Sequence, residues 1–257
     1  MCGIKNVVKN QKGRDTSIDR PSFCAAPESL NDLFRRIYNQ KPHGCGALCH
    51  GNYGLGFPRG MRGSTEERGL FIILFNPAGN QAKEWEINAR KQCQAQNNVV
   101  GSELFSIYTR RLQDRENISS NNNTGRKIHL LYTLLSENGL PVYLTNAVKC
   151  QSSTAAAIMT DKKLTAKTCV HTFLREEIHL LKPKLLVVLG KDALRLLISD
   201  PDVRKEVYHS PLPKRVETLA GSVPVFYFSH PASRLGNWSQ QNLPLLAQKL
   251  EALYSSI

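Results

Sequence analysis

The segment VYLTNAVKC, residues 142–150, decides the fold class, because it changes from an apolar strand to a polar loop within a few residues. Val142, Tyr143 and Leu144 are β-branched, aromatic or large and apolar, which is typical of a buried strand. Asn146 stands where this strand should end, and Cys150 follows four residues later. An amide next to a thiol at the end of a core strand indicates a functional site.

Three other apolar runs end in the same way. LFIILFNPAG (residues 70–79) is apolar until it reaches Asn76, KLLVVLGKDA (184–193) stops at Gly190, and VPVFYFSHPAS (223–233) stops at His230. In open parallel sheets the ligand site lies beyond the carboxyl ends of the strands. Four strand ends that carry Asn, Asn, Gly and His therefore predict one cleft.

Helical periodicity separates these strands. Segments with an apolar stripe or helix-end signals lie at 27–40, 126–138, 167–181, 192–198 and 243–254, whereas 41–63 and 201–221 are predicted as a loop and a basic excursion. Strands alternating with helices predict α/β layers around a parallel sheet. We expect a single domain over 1–257, with a flexible basic arm at 1–25. Residues 80–123 are predicted to be an insertion containing two helices, at 85–93 and 103–114.

Composition narrows the class of partner and compartment. The formal net charge is +13, which favours a polyanionic partner, most commonly nucleic acid, over a merely soluble basic protein. No apolar run approaches the ~20 residues that span a bilayer, and the first residues lack a signal-peptide core. We therefore expect a cytoplasmic protein without membrane contact.

The seven cysteines are an odd number in a chain of this type, which favours metal or cluster ligation over disulfides. Cys45 and Cys49 are separated by three residues, and Cys150 and Cys169 flank one loop after the central strand. Four such thiolates could hold a 4Fe–4S cluster or a zinc ion. Plain buried thiols remain the alternative that spacing leaves open. The four candidates are Cys45, Cys49, Cys150 and Cys169.

At this point the motifs resemble a family. VYLTNAVKC and the later CVHTFLREEIHLLKPKLLVVLGKDAL (169–194) are similar to the core of the uracil-DNA glycosylase superfamily, above all to its iron–sulfur branch. LFNPAG and HPAS fall where the superfamily has its first and second catalytic motifs. The resemblance covers roughly residues 45 to 240. It implies a three-layer α/β/α fold with a central four-stranded parallel sheet, and ligation of the cluster by the four candidate cysteines.

The resemblance also implies an activity, a monofunctional DNA glycosylase that hydrolyses the N-glycosidic bond of a flipped pyrimidine and leaves an abasic site. It places His230 as donor to the base carbonyl oxygen and Asn76 as the residue that orients water. Asn146 would read the pairing edge of the base, with Phe75 and Asn123 as further base-binding candidates.

The same resemblance assigns residues to DNA contact. The loop after HPAS would enter the minor groove, with Arg234 and Leu235 as wedge candidates beside Ser233. Lysines beside the cluster loop are predicted to face phosphate, although a solvated basic face explains any one of them equally well. These are Lys149, Lys162 and Lys163, with Lys167 nearby. The expected partner is DNA, double- or single-stranded, and the protein is expected to be a monomer.

Three departures from the family bear on the substrate. Asn76 matches the mismatch-specific and single-strand-selective relatives, whereas iron–sulfur relatives usually have an acidic motif there. NNNT stands before Gly125, where those relatives carry an aromatic clamp, and the 80–123 link is unusually long. A polar, enlarged rim favours a modified cytosine, hydroxymethylated or glucosylated as in phage DNA, and hence an antiphage role. Uracil repair is the alternative, and a catalytically silent DNA-binding protein is another.

Overall fold

The computed structural model describes residues 29–39, 62–75, 88, 105–107, 109–110, 123–149, 166–167, 169–218, 221–233, 238–239 and 241–257. Within these residues the strands are β1 (Arg62–Gly63), β2 (Leu70–Leu74), β3 (Val142–Asn146), β4 (Leu185–Leu189), β5 (Lys214–Thr218) and β6 (Gly221–Phe228). The helices are α1 (Leu30–Asn39), α2 (Asn123–Glu137), α3 (Arg175–Leu181), α4 (Lys191–Leu197), α5 (Pro201–His209) and α6 (Leu243–Ser255), and a π-helical segment, Val170–Leu174, leads directly into α3.

The strands form one mixed sheet in the order β1-β3-β2-β4-β6-β5. Strands β3, β2, β4 and β6 pair in parallel, and β1 and β5 join the two edges in antiparallel orientation. The α/β class is therefore confirmed, but the sheet is mixed and has six strands where four parallel strands were predicted, because an antiparallel strand is added at each edge. Strand β1 lies in the predicted loop 41–63, and β5 lies in the predicted excursion 201–221.

Helices cover both faces of the sheet, because the inner strands are apolar on both faces, as parallel strands are. Phe71 and Ile73 of β2 point into a first core cluster that includes residues of α1, the π-helical segment, α3 and α4. Leu70 and Ile72 point the other way, into a second cluster with residues of α2 and α6. The described residues thus form three layers, with the carboxyl ends of the parallel strands left at one edge.

Part of the predicted insertion 80–123 belongs to the core. Residues 105–107 are helical, within the predicted helix 103–114, and Phe105 is buried. Its ring stacks on Phe34 of α1 at 4.5 Å between centroids and lies 6.2 Å from Tyr143 of β3. This helical turn therefore packs beneath the sheet instead of extending a polar rim.

None of the described helices has the length and apolar character needed to cross a membrane.

Candidate active site

Four chain segments meet beyond the carboxyl ends of the parallel strands. Leu74, the last residue of β2, pairs with Asn146, the last residue of β3. The pairing continues past both strands, since the Ala147 N–H donates to the Leu74 carbonyl at 2.7 Å and the Val148 N–H to the Phe75 carbonyl at 2.8 Å. On the other side of β2, the Gly190 N–H donates to the carbonyl of Phe228, at the end of β6, at 2.9 Å. Three of the four predicted strand ends therefore share one edge, and Asn76, the fourth, lies outside the described residues.

His230 follows β6 at this edge, and its hydrogen bonds define its tautomer. The Ala232 N–H donates to Nδ1 of His230 at 3.1 Å. A backbone N–H can only donate, so Nδ1 must accept, and a neutral ring then carries its proton on Nε2. Burial lowers the pKa of His230 below its ordinary 6.5, while the nearby Asp192 carboxylate opposes this change in part. The ring is therefore a neutral donor through Nε2 at neutral pH.

The segment around His230 is held by its neighbours. The Lys127 ammonium on α2 donates to the Pro231 carbonyl at 3.1 Å. The Trp238 indole donates to the Ser229 carbonyl at 2.8 Å, and the Ser233 N–H closes a turn on the His230 carbonyl at 2.8 Å. Bonds on both sides of His230 fix its backbone, so the imidazole has a set position without ligand present. Neither the Lys127 contact nor the Trp238 contact was predicted, because both join residues that no local pattern connects.

Asn146 and Phe75 lie deeper in the same edge. Asn146 is 5% exposed and Phe75 is 6% exposed. Phe75 belongs to the first core cluster, so little of its ring is open to a ligand. A side-chain amide carries both donor and acceptor groups, which suits the recognition of a planar polar ligand. Asn123, the third predicted base-binding residue, is the first residue of α2, and its side chain is outside the described part.

The chain matches the sequence profile of the family described as Uracil DNA glycosylase superfamily over residues 100–253. The chain belongs to the uracil DNA glycosylase superfamily. The matched region contains β3 with Asn146 and β6 with the His230 loop, and it begins after Asn76. No curated protein matches the chain. Members of the superfamily act on DNA and are typically DNA glycosylases, so membership indicates a function of this type.

Gly190 lies beside the imidazole of His230. Its φ is +97°, in the region that side chains rarely adopt, and a Cβ placed on it would lie 3.2 Å from the His230 Cβ and 3.5 Å from its Cδ2. Sequence reasoning identified Gly190 only as a strand end. The structure shows that the missing side chain leaves room for the catalytic candidate.

We expect Gly190→Ala to lower the rate of base excision by roughly tenfold or more, because the added methyl displaces His230 and misplacement of a reacting group reduces rate steeply. Gly221→Ala is the matched control, since Gly221 also has a positive φ (+108°) but nothing lies within 4 Å of its Cβ position. Both variants carry backbone strain, and only the first touches the imidazole. Equal rates in single-turnover assays of the two variants would contradict this role of Gly190.

The position of Lys149 contradicts the prediction that this residue contacts DNA. It was expected to face DNA phosphate, but it is 1% exposed. Its ammonium donates to the Glu177 carboxylate at 2.7 Å, the Thr145 hydroxyl at 2.6 Å and the Asn146 carbonyl at 2.7 Å. All three of its N–H bonds are thus engaged inside the protein, and Lys149 has no proton left for phosphate.

Cys169 is the one predicted cluster ligand that lies among the described residues. It is 2% exposed, and its Sγ accepts the N–H of Lys149 at 3.2 Å. Cys150 directly follows Lys149 in the sequence. The described residues contain no group of three or more His, Cys, Asp or Glu that could hold a metal. Cys45, Cys49 and Cys150 lie outside those residues, so the predicted ligand set stays a prediction.

The predicted DNA-contact residues fall mostly outside the described part. Ser233 is half-buried in the turn that follows His230, and Lys167 is exposed just before Cys169. Arg234, Leu235, Lys162 and Lys163 remain sequence predictions.

Proposed function

We propose that this superfamily member is a monofunctional DNA glycosylase acting on a flipped pyrimidine. The observation that carries the proposal is the neutral His230 ring, whose Nδ1 is occupied by the Ala232 N–H, so that the ring proton is on Nε2, from which it can be donated to a base. It stands at the same sheet edge as the buried Asn146 amide. Parallel strands lie ~4.8 Å apart, so the three spacings from β3 to β6 leave room for a base between these two side chains.

The proposed reaction breaks the bond between C1′ of the sugar and the ring nitrogen of the base. The bonding electron pair leaves with the base, and the Nε2–H of His230 donates to a base carbonyl oxygen on which negative charge develops. Asn76 would hold the water whose hydroxyl adds to C1′. The remaining proton of that water is released, and it neutralises the base anion to give free base and an abasic site. Asn146 selects the base that is flipped into the pocket.

Lyase chemistry through Lys149 is not part of this proposal. A Schiff base would need its amine free and uncharged, whereas the Lys149 ammonium is buried against Glu177.

For the base, we favour a modified cytosine, hydroxymethylated or glucosylated, and an antiphage role. Support comes from the sequence around Gly125, where NNNT replaces an aromatic clamp. Gly125 lies in the first turn of α2, half-exposed. A polar rim there would tolerate a polar substituent on the base. Uracil repair and silent DNA binding on the same fold are the alternatives.

The test is excision from three duplexes that carry uracil, 5-hydroxymethylcytosine or its glucosylated form, followed by alkali to cut abasic sites. Strand cleavage of a cytosine derivative supports the preferred substrate, and cleavage confined to uracil would overturn it in favour of repair. Tight binding without cleavage of any duplex would favour the silent DNA-binding protein.

We expect Asn146→Asp to discriminate between the two classes of base. A carboxylate can accept from a cytosine amino group but repels a uracil carbonyl. If the natural base is a modified cytosine, the variant retains activity on it. If the natural base is uracil, the ratio of the rates on cytosine and uracil shifts by at least about tenfold, the equivalent of one charge-assisted hydrogen bond. Single-turnover rates on the same duplexes, and on a fourth with unmodified cytosine at the target position, measure the ratio, and an unchanged ratio would remove Asn146 from base recognition.

We further propose that Cys45, Cys49, Cys150 and Cys169 hold a 4Fe–4S cluster, with zinc as the alternative. Thiolates in this number suit either group. The N–H that Lys149 donates to Cys169 supports the proposal, because the sulfurs of cluster ligands commonly accept hydrogen bonds from the protein. Bound there, the group would serve as a structural crosslink between the loop after β3 and the early cysteine pair.

We expect the purified protein to be brown, and Cys169→Ser to bleach it and reduce its solubility. Iron and sulfide analysis together with the visible spectrum measure this. Cys2→Ser is the control, because Cys2 has no neighbouring cysteine in the sequence. A colourless protein with one bound zinc ion would show that the four cysteines hold zinc instead of the cluster. Loss of colour in Cys2→Ser as well would contradict the assignment of the four ligands.

A further inference from the structure

A charged network lies buried beneath the candidate active site. The carboxylate of Glu177, on α3, is 0% exposed, and the ammonium of Lys149 lies 2.7 Å from it at 1% exposure. The Tyr143 hydroxyl donates to Oε1 of Glu177 at 3.2 Å, and the Thr145 hydroxyl lies 2.9 Å from Oε2. Both carboxylate oxygens of Glu177 and the hydroxyls of Tyr143 and Thr145 are therefore hydrogen-bonded inside the protein.

Stability alone does not account for this pair. Removing two charges from water is expensive, and a buried ion pair is often matched or exceeded in stability by apolar residues of similar size. The side chains of Glu177 and Lys149 are 0% and 1% exposed, so water solvates neither charge. The network instead connects polar groups at the point where β3 ends, which indicates a role in the position of that strand end.

Lys149 is the residue that joins the network to the site. Its ammonium donates to the main-chain carbonyl of Asn146 at 2.7 Å and to the hydroxyl of Thr145, the preceding residue, at 2.6 Å. Its own N–H donates to Cys169. The side chain thus folds back along the chain and holds the backbone from which the Asn146 amide projects. The two intervening residues are fixed to the end of β2 through their amides.

We propose that Lys149 and Glu177 are positioning residues that fix the carboxyl end of β3 and thereby aim the Asn146 amide at the flipped base. The inference rests on the proposed function, since it assigns Asn146 a base to read. Neither side chain touches the substrate. Their effect passes through the Asn146 backbone, where a displacement of about 1 Å can reduce a reaction rate on the order of 10²-fold.

The experiment separates position from stability with three variants. Lys149→Met leaves the Glu177 carboxylate buried without a counter-ion. Glu177→Gln likewise leaves the Lys149 ammonium buried without a counter-ion. The double variant Lys149→Met/Glu177→Gln buries no charge, and its amide oxygen can still accept from the Tyr143 and Thr145 hydroxyls. Both single variants should unfold at lower temperature than wild type, and the double variant should recover most of the loss.

The control is a neighbouring ion pair that joins α3 to α1. Arg36 of α1 lies 2.7 Å from the Glu176 carboxylate, and both side chains are about a quarter exposed, at 27% and 24%. Arg36→Met/Glu176→Gln removes a salt bridge one residue from Glu177 without touching β3. It should leave the excision rate and the amide exchange of residues 147 and 148 at wild-type values.

Two readouts decide the inference. In single-turnover assays on whichever duplex the wild type cleaves, the folded Lys149→Met/Glu177→Gln variant should be slower on the order of 10- to 100-fold, with its affinity for target DNA within about threefold of wild type. In hydrogen exchange of the protein without DNA, the amides of Ala147 and Val148 should exchange roughly tenfold faster, while those of β4 keep their protection.

The outcomes distinguish this inference from the proposed function. A stable double variant with wild-type rate and wild-type exchange overturns the positioning role, and a double variant less stable than both single variants overturns the pairing itself. If wild type cleaves none of the three duplexes, the proposed function fails. Faster exchange of the Ala147 and Val148 amides in the double variant would then still support the role of Lys149 and Glu177 in fixing the end of β3. Unchanged exchange would overturn that role as well.

Discussion

We expect His230→Ala to slow base excision on the order of 10²–10³-fold, as removal of a donor to a developing oxyanion does. Nδ1 of His230 is occupied by the Ala232 N–H at 3.1 Å, which leaves the Nε2–H as the group that can stabilise the departing base. The loss should appear in the single-turnover rate with little change in affinity for target DNA, because the donor acts on charge that is absent before the bond breaks.

His209→Ala is the matched control, because His209 is exposed on α5 and its ring packs edge-on against Tyr208. The pH dependence gives a second check on His230. Burial lowers its pKa, so wild-type excision should decline at low pH with a midpoint below pH 6.5, the ordinary value for histidine. Protonation of Nδ1 then breaks the bond from Ala232. A decline with its midpoint above pH 6.5, or a fully active His230→Ala variant, would contradict the assigned role.

Asn76→Ala should lower turnover by at least about 10²-fold while affinity for target DNA stays within about threefold. The amide is proposed to hold the attacking water, so its loss affects the chemical step and leaves DNA binding alone. Single-turnover excision and equilibrium binding to a duplex with the target base measure the two quantities separately.

Asn138→Ala provides the comparison for Asn76, since Asn138 lies just after α2 and donates to Glu251 at 3.0 Å, at the protein surface. It should leave excision unchanged. Undiminished turnover by Asn76→Ala would remove the water-orienting amide from the mechanism, and the water would then need another partner among the residues at the strand ends.

The parallel strands and their meeting point were predictable from sequence because the signal is local. Runs such as LFIIL and LLVVL are apolar on both faces, and each stops abruptly at a polar residue or glycine. Periodicity also located α2 and α6. The edge strands β1 and β5 were not predicted in this way. β1 has only two residues, and in β5 only Val216 is buried, so neither carries a pattern long enough to recognise.

The role of Lys149 could not be predicted from its neighbours in the chain. A lysine in a polar segment after a strand is usually solvated, and the residue that buries it, Glu177, lies on a helix 28 positions later. Phe105 was missed for a similar reason, since its partner Phe34 is far away in the sequence. Pairings that the tertiary fold creates between distant residues have no local signature.

The strand order has a consequence for synthesis on the ribosome. Strand β4, LLVVL, pairs with β2 on one side and β6 on the other, and β6 is the last strand to emerge. Until then one side of an uncharged, fully buried strand has no partner, and such segments readily pair with other chains. A chain truncated before residue 221 should therefore aggregate, whereas the complete sheet ends in β5, whose Lys214, Arg215 and Glu217 are exposed.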